Sequence, residues 1–314
     1  MRCLFFYLFI CVLFPLSGQT AQEYHALAVA KLAADKPKDA LVAIERAVAL
    51  APDSLWWRIS YADILRENDL YEDTRDELYR IVSLDSNFAF AYQRLAQSYL
   101  SSNQLDSSLH YFDIAIQKAP SDLAAQDFYV NRATALSVLR HFDEALVDFE
   151  QAYRIDTSNV VVLNNLALLY DDLDRMEESI QMLKRIIDLD STFIGAYANL
   201  GFIYSKQDSL LQSAYYFDRA LALDPNDAII LNNKGHLHYR REEYGTALDL
   251  INRSINRYPT NSYAYRNRAL VYFALDLQQE ACRDLEIATY YEFSLRHGDE
   301  VEVMYAQRCT VSGE

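Results

Sequence analysis

Five asparagines recur at a constant interval and carry the clearest chemical signal in the chain. They are Asn131, Asn165, Asn199, Asn233 and Asn267, which are evenly spaced along the sequence. A carboxamide donates through its nitrogen and accepts through its oxygen, so it can pair with a peptide group whatever side chain that residue bears. Inside a helix each asparagine costs about 0.5 kcal/mol relative to alanine, so five equivalent ones call for a reason. The row predicts binding of a protein or extended peptide.

Catalytic and metal-binding patterns are absent from the sequence. The six histidines include one close pair, His236 and His238, and a separation of two residues places them on different faces of a helix. A zinc site on a helix would need a separation of four residues, as in the H-E-x-x-H pattern. No glycine-rich phosphate loop and no serine nucleophile elbow occurs either. We therefore expect a protein that is not an enzyme and that holds no metal and no cofactor.

Charge limits the class of partner. The formal net charge is −16, which would repel the phosphates of nucleic acid, so we expect no nucleic-acid binding. Five charged residues are expected on the same surface as the asparagines: Asp171 and Asp172 come earlier, and Lys206, Arg240 and Arg266 come later. A partner whose basic and acidic residues follow each other in the complementary order would then bind in one orientation. Ordinary scatter of surface charge is the alternative explanation.

Two series of small residues show which elements must position these side chains. The first series is Ala28, Ala62, Ala96, Ala133, Ala167, Gly201, Gly235 and Ala269; its spacing is constant except for one longer step between Ala96 and Ala133. The second runs twelve positions later: Ala40, Thr74, Ser108, Ala145, Ser179, Ser213, Ala247 and Ala281. Self-similarity at a period of about 34 residues is typical of stacked two-helix units. A small residue is needed where two helices cross closely.

Residues 89–120 show how one unit is built. Apolar residues from Tyr92 to Tyr99 follow the helical period, and the turn residues Ser101, Ser102 and Asn103 come next. A second helical pattern follows and stops at Pro120. Each unit is therefore predicted to be a pair of amphipathic helices.

The pattern resembles the tetratricopeptide repeat. The motif Tyr92-x2-Leu95-Ala96-x2-Tyr99 is followed by Ser108, Phe112, Ala115 and Pro120; Tyr197-x2-Leu200-Gly201-x2-Tyr204 is followed by Ser213, Phe217, Ala220 and Pro225. Departures are local: Ser86, Thr157 and Ser191 replace the closing proline, and Arg132, Lys234 and Arg268 replace an expected leucine.

The resemblance implies an all-α fold, an α-solenoid in which eight helix pairs over residues 22–292 form a right-handed superhelix. The first helices of such repeats line a concave groove. The asparagine row is similar to that in the repeat superhelix of O-GlcNAc transferase, where amides hold a peptide backbone. Asparagine at this position is also frequent in the family whatever the ligand, and both interpretations stay open. The residues that clamp a carboxylate in chaperone-adaptor members are not reproduced.

Residues 1–21 are predicted to be a cleaved signal peptide. Arg2 precedes an apolar run from Cys3 to Leu16, and small residues such as Gly18 and Ala21 follow as cleavage sites. The run is too short to span a bilayer, so we expect no integral membrane span. The protein is therefore expected to be secreted or periplasmic.

Removal of this segment leaves two cysteines, Cys282 and Cys309. In an oxidising compartment such a pair is a candidate disulfide, and two unpaired thiols are the alternative. The bond would hold a terminal helix, Asp299 to Arg308, within a capping segment of residues 293–314. Val301, Met304 and Tyr305 would form its apolar face.

Together these features predict an extracytoplasmic scaffold that binds a protein or peptide in its groove. The alternative is a structural subunit of a cell-envelope assembly that binds through its convex faces or its ends. Residues 293–314 are too few for a catalytic domain, so any enzyme would be a separate chain.

Overall fold

The computed structural model describes residues 20–294 and 298–309, and these form seventeen helices and no strand. The helices are α1 (Ala21–Ala33), α2 (Pro37–Leu50), α3 (Leu55–Glu67), α4 (Tyr71–Leu84), α5 (Ala89–Ser101), α6 (Leu105–Gln117), α7 (Asp122–Val138), α8 (Phe142–Ile155), α9 (Val160–Asp172), α10 (Met176–Leu189), α11 (Ile194–Lys206), α12 (Leu210–Leu223), α13 (Ala228–Arg240), α14 (Tyr244–Arg257), α15 (Ser262–Ala274), α16 (Gln278–Tyr290) and α17 (Glu300–Arg308). The predicted all-α fold of eight helix pairs and a C-terminal helix is confirmed. Almost all of the predicted signal peptide lies outside the described residues.

The chain divides into two compact units. The first extends to Ala135 and the second begins at Leu136, so the division falls inside α7. The first unit contains α1 to α6 and most of α7. The second contains α8 to α17 and holds four of the five asparagines of the row.

The small residues lie where the two helices of a pair approach each other. Every member of the first series is buried, and so is every member of the second. In the second unit, Ser179 Oγ donates to the carbonyl of Ala167 and Ser213 Oγ donates to that of Gly201, each at 2.7 Å. The buried serine hydroxyls therefore find an acceptor at the crossing, and their small size leaves room for the neighbouring helix.

A third repeating position ends the first helix of each pair. It is the residue with positive φ: Asp35, Asp69, Asn103, Arg140, Asp174, Asp208, Glu242 and Asp276, with φ from 56° to 63°. Six of the eight are Asp or Asn, the side chains that tolerate this left-handed conformation best after glycine. The short turn between the helices of a pair is thus encoded locally.

The three cations at leucine positions bind polar side chains of second helices. Lys234 Nζ lies 2.5 Å from Asp218 Oδ1 on α12. Arg268 donates to Asn252 on α14 at 2.6 Å and to both carboxylate oxygens of Asp284 on α16, at 2.7 and 2.8 Å. In the first unit Arg132 pairs with Asp113 of α6. Ion pairs between helices therefore replace the apolar contact that leucine would make.

Helix α17 packs against the last pair. Val301 is buried in a cluster with Leu285 and Phe293, and Met304 and Tyr305 pack against the same cluster. The sulfur atoms of Cys282 and Cys309 are joined, and their Cα atoms are 5.6 Å apart. The guanidinium of Arg308 lies 3.8 Å from the ring centre of Phe273.

Oxidation of the cysteine pair in the native compartment stays a prediction. We expect no free thiol in protein isolated from its native source without reductant, and two free thiols would contradict the pairing. The bond spans 27 residues, so its reduction should remove about 3.5 kcal/mol of stabilisation in the chain-entropy model. Thermal unfolding with and without dithiothreitol measures this loss. The matched control is Cys309→Ser, in which the reductant should change nothing.

Because the two helices of a pair lie so close together, substitution by alanine should have opposite effects on stability at Gly235 and at Gly245. A Cβ on Gly235 would lie 2.5 Å from Ile251 Cγ1 and 3.2 Å from the carbonyl oxygen of Ala247, whereas a Cβ on Gly245 would meet nothing within 4 Å. Gly235→Ala should lower the free energy of unfolding by about 1–3 kcal/mol because of overpacking. Gly245→Ala should raise it by roughly 0.5 kcal/mol. Chemical denaturation followed by circular dichroism checks both; an unchanged Gly235→Ala variant would contradict the close crossing.

Candidate functional site

Three asparagines of the row present uncommitted amides in the second unit. Asn165 lies on α9, Asn199 on α11 and Asn233 on α13, and all three are half-buried at the same repeat position. None of the three side-chain amides forms a hydrogen bond with another residue that the structure describes. We call the exposed surface of α9, α11, α13 and α15 the first-helix face; within it, α13 contacts both α11 and α15.

The other two asparagines are already bonded. Asn131, in the first unit, donates to the carbonyl of Asp127 at 2.7 Å. Asn267 is only 3% exposed; its nitrogen donates to Asn232 Oδ1 at 3.0 Å, and its oxygen accepts from Arg266 at 2.8 Å. Five equivalent sequence positions therefore divide into three available amides and two engaged ones.

The charged residues of the face are mostly paired. Lys206 lies 2.7 Å from Asp171, so these members of the predicted early and late groups are in contact. Asp172 is exposed on α9, and no ion pair joins it to another described residue.

The two arginines are paired as well. Arg240 binds Asp208 at 2.7 Å and Ser205 Oγ at 3.0 Å. Arg266 binds Glu300 of α17, with its Nε 3.1 Å from the carboxylate. Each of the three cations therefore has one acidic neighbour.

Two adjoining clefts open on this face. The first, which we call the apolar cleft, has a volume of about 460 Å³ and is lined by Phe202, Ile229, Asn232, Asn233, Tyr258, Thr260, Asn261, Ser262 and Tyr263. The second, the basic cleft, has a volume of about 240 Å³ and is lined by Phe202, Ser205, Lys206, Phe217, Asn233, His236, Arg240, Tyr263, Arg266 and Asn267. Phe202, Asn233 and Tyr263 line both, so the two clefts are adjacent.

His236 is a titratable group inside the basic cleft. Burial and, to a smaller extent, the positive charges of Arg266 and Arg240 lower its pKa from 6.5 to about 4, while Glu300 acts in the opposite direction. The imidazole is therefore neutral at neutral pH and can donate or accept a hydrogen bond.

The arrangement is suited to binding. Exposed amides, three cations and aromatic walls can hold polar, acidic and apolar groups of a ligand. Among residues 20–294 and 298–309, no three His, Cys, Asp or Glu side chains are grouped as a metal site would require. Within the same ranges no helix combines the length and apolar character needed to cross a bilayer.

Sequence reasoning missed the apolar cleft. Its walls come from α11, α13, the segment between α14 and α15 and the first residues of α15, which only the fold brings together. One signal was available in the sequence: Ile229 and Tyr263 occupy the same position in successive repeats, and both are large apolar residues. In the structure they are 50% and 39% exposed.

Comparison with known families and structures agrees with the fold. Models of the tetratricopeptide repeat match residues 94–160, 160–193 and 204–262, which together make up half of the chain. No protein with a curated description matches the chain.

Two solved structures show the likeness in three dimensions. A tetratricopeptide repeat protein from Parabacteroides merdae is 13% identical, with a TM-score of 0.56 over 93% of this chain and 100% of that one. A chain in the crystal structure of the APC/C hetero-tetramer Cut9–Hcn1 is 16% identical, with a TM-score of 0.61 over 84% of this chain and 52% of that one. This chain thus spans about half the length of the latter. At such identities the likeness shows the fold alone.

The pKa of His236 predicts a loss of stability in mild acid. Because the folded-state pKa lies below the unfolded value, the unfolded chain takes up the proton first, and stability present above pH ~6.5 is lost as the pH falls toward 4. The free energy of unfolding should fall by about 3 kcal/mol. Chemical denaturation at several pH values measures the free energy of unfolding. His236→Gln should make this free energy depend less on pH, whereas His110→Gln, at an exposed histidine, should leave its pH dependence unchanged. Equal slopes in wild type and His236→Gln would contradict the assignment.

Proposed function

Because the chain belongs to the tetratricopeptide repeat family, we propose that it is a scaffold that holds an extended segment of a partner protein on the first-helix face of its second unit. The family fold supports a protein-binding role. Binding would need no chemical step, in keeping with the generally non-catalytic role of these repeats.

The observation that carries this proposal is the set of free amides at Asn165, Asn199 and Asn233. A half-buried amide without an internal partner loses contact with water on binding and regains a hydrogen bond only through a ligand. Each of the three can donate to a peptide carbonyl and accept from a peptide N–H. Packed helices are about 8–10 Å apart, close to the length of three residues of extended chain at ~3.3 Å each. Successive asparagines could therefore form hydrogen bonds with every third peptide group of the extended segment.

We place the protein outside the cytoplasm, with an export signal within residues 1–21 that is cleaved after Gly18. The contacts of Thr20 favour this cleavage site over the one after Ala21. Its hydroxyl accepts from the N–H of Glu23 at 3.2 Å, and its own N–H donates to the Glu23 carboxylate at 2.7 Å. This capping box stabilises the start of α1 and would be lost by cleavage after Ala21.

Removal of the three free amides should weaken binding without unfolding the protein. The test peptide is the tightest binder selected from a random twelve-residue library against the full chain. Each lost hydrogen bond costs about 1 kcal/mol, so Asn165→Ala/Asn199→Ala/Asn233→Ala should raise the Kd roughly 100-fold. Fluorescence anisotropy measures the Kd, and Asn131→Ala is the matched control because that amide already bonds to its own helix.

N-methylated peptides test whether the asparagines bind the peptide backbone. N-methylation of single peptide units should weaken binding at intervals of about three residues. Unchanged affinity of the triple variant would exclude the asparagine row, and crosslinks to α10, α12 and α14 would favour attachment through the second helices.

A further inference from the structure

The apolar cleft contains a buried amide that lacks a partner. Asn261 is only 9% exposed, and its Nδ2 forms no hydrogen bond. Leaving such a donor buried and unpaired costs about 1–3 kcal/mol. The cost is recovered if a ligand places an oxygen atom beside it.

Equivalent positions elsewhere in the second unit show that this orientation is unusual. Asn159 and Asp227 also precede first helices, three repeats and one repeat before Asn261. Asn159 caps α9 by accepting from Val161 N at 3.0 Å, and Asp227 caps α13 by accepting from Ile230 N at 2.9 Å. Asn261 makes no such capping bond to α15. Its side chain lines the cleft instead.

The walls of the cleft are apolar and open to solvent. Phe202 is 47% exposed and Ile229 is 50% exposed, and Tyr258 and Tyr263 complete the wall. Neighbouring large apolar side chains left in water are typical of binding sites. The volume of about 460 Å³ lies within the range of small ligand sites and admits one large side chain.

Charge distinguishes the adjoining basic cleft from the rest of the molecule. Lys206, Arg240 and Arg266 line it, and none of its lining residues is acidic. The acids that pair with these cations lie outside the lining. In a chain of net charge −16, this local group of cations favours an acidic group of a ligand.

We infer that the two clefts form one subsite for a partner segment that carries a large apolar side chain next to an acidic residue. The apolar side chain fills the apolar cleft, and a backbone carbonyl of the segment accepts a hydrogen bond from Asn261 Nδ2. The carboxylate lies among the three cations. Asn233, which belongs to both clefts, binds the peptide group between the two side chains. This inference rests on the proposed function and adds the sequence preference that backbone binding alone cannot supply.

The test is selection of the random twelve-residue library against the full-length wild-type chain. We expect enrichment of an aromatic or large aliphatic residue within one or two positions of Asp or Glu. In the best binder, replacing the apolar residue by Ala or the acidic residue by Lys should each raise the Kd at least tenfold.

Protein variants test the same contacts from the other side. Asn261→Leu removes the donor with little change in size and adds no charge, and should raise the Kd about tenfold without lowering the Tm. Ile229→Glu places a charge in the apolar wall of the cleft and should raise the Kd further. Leu211→Glu, at a 76% exposed apolar residue on the second helix α12, is the matched control and should leave the Kd unchanged.

The outcomes separate this inference from the proposed function. Peptides that lose affinity for the asparagine triple variant but show no apolar–acidic preference would overturn the subsite and keep the scaffold. Selection of apolar residues next to Lys or Arg, or no effect of Asn261→Leu, would also overturn the subsite. Failure to select any peptide would overturn both.

Discussion

The close approach of the two helices in each pair is the constraint on which the rest of the structure depends. The buried alanines and glycines of the first series allow it, and at Gly235 there is no room even for a methyl group. In the second unit, the hydroxyls of Ser179 and Ser213 donate to the carbonyls of Ala167 and Gly201 at these crossings. Within the second unit α13 contacts both α11 and α15, so side chains at one repeat position of these helices share a surface.

The sequence was sufficient for the elements that depend on local patterns. The helix pairs follow from the periodic small and apolar residues, and the turns follow from residues such as Asn103 and Asp174 that accept positive φ. The terminal helix was predicted from its apolar face, of which Val301 is the buried member. These features depend on neighbours within one or two helices, so spacing alone reveals them.

The sequence was insufficient where the role of a residue depends on distant neighbours. Asn199 and Asn267 occupy the same repeat position, yet only Asn267 is bonded, because Asn232 and Arg266 lie beside it. The charged residues gave a similar result: the sequence placed Asp171 and Lys206 on the same surface but did not show that they form an ion pair. Asn261 lines a cleft whereas Asp227 caps a helix, and nothing in the repeat pattern distinguishes the two.

Helix α17 has a consequence for self-association. A repeat array can in principle continue by stacking another copy of itself on the apolar side of its final pair. Here a helix outside the repeat pattern contacts α16 and buries Val301 against Leu285 and Phe293. That patch is therefore occupied by the chain's own residues. Head-to-tail polymers would have to displace α17 before a neighbouring molecule could pack there, so this helix opposes fibre growth at that end of the second unit.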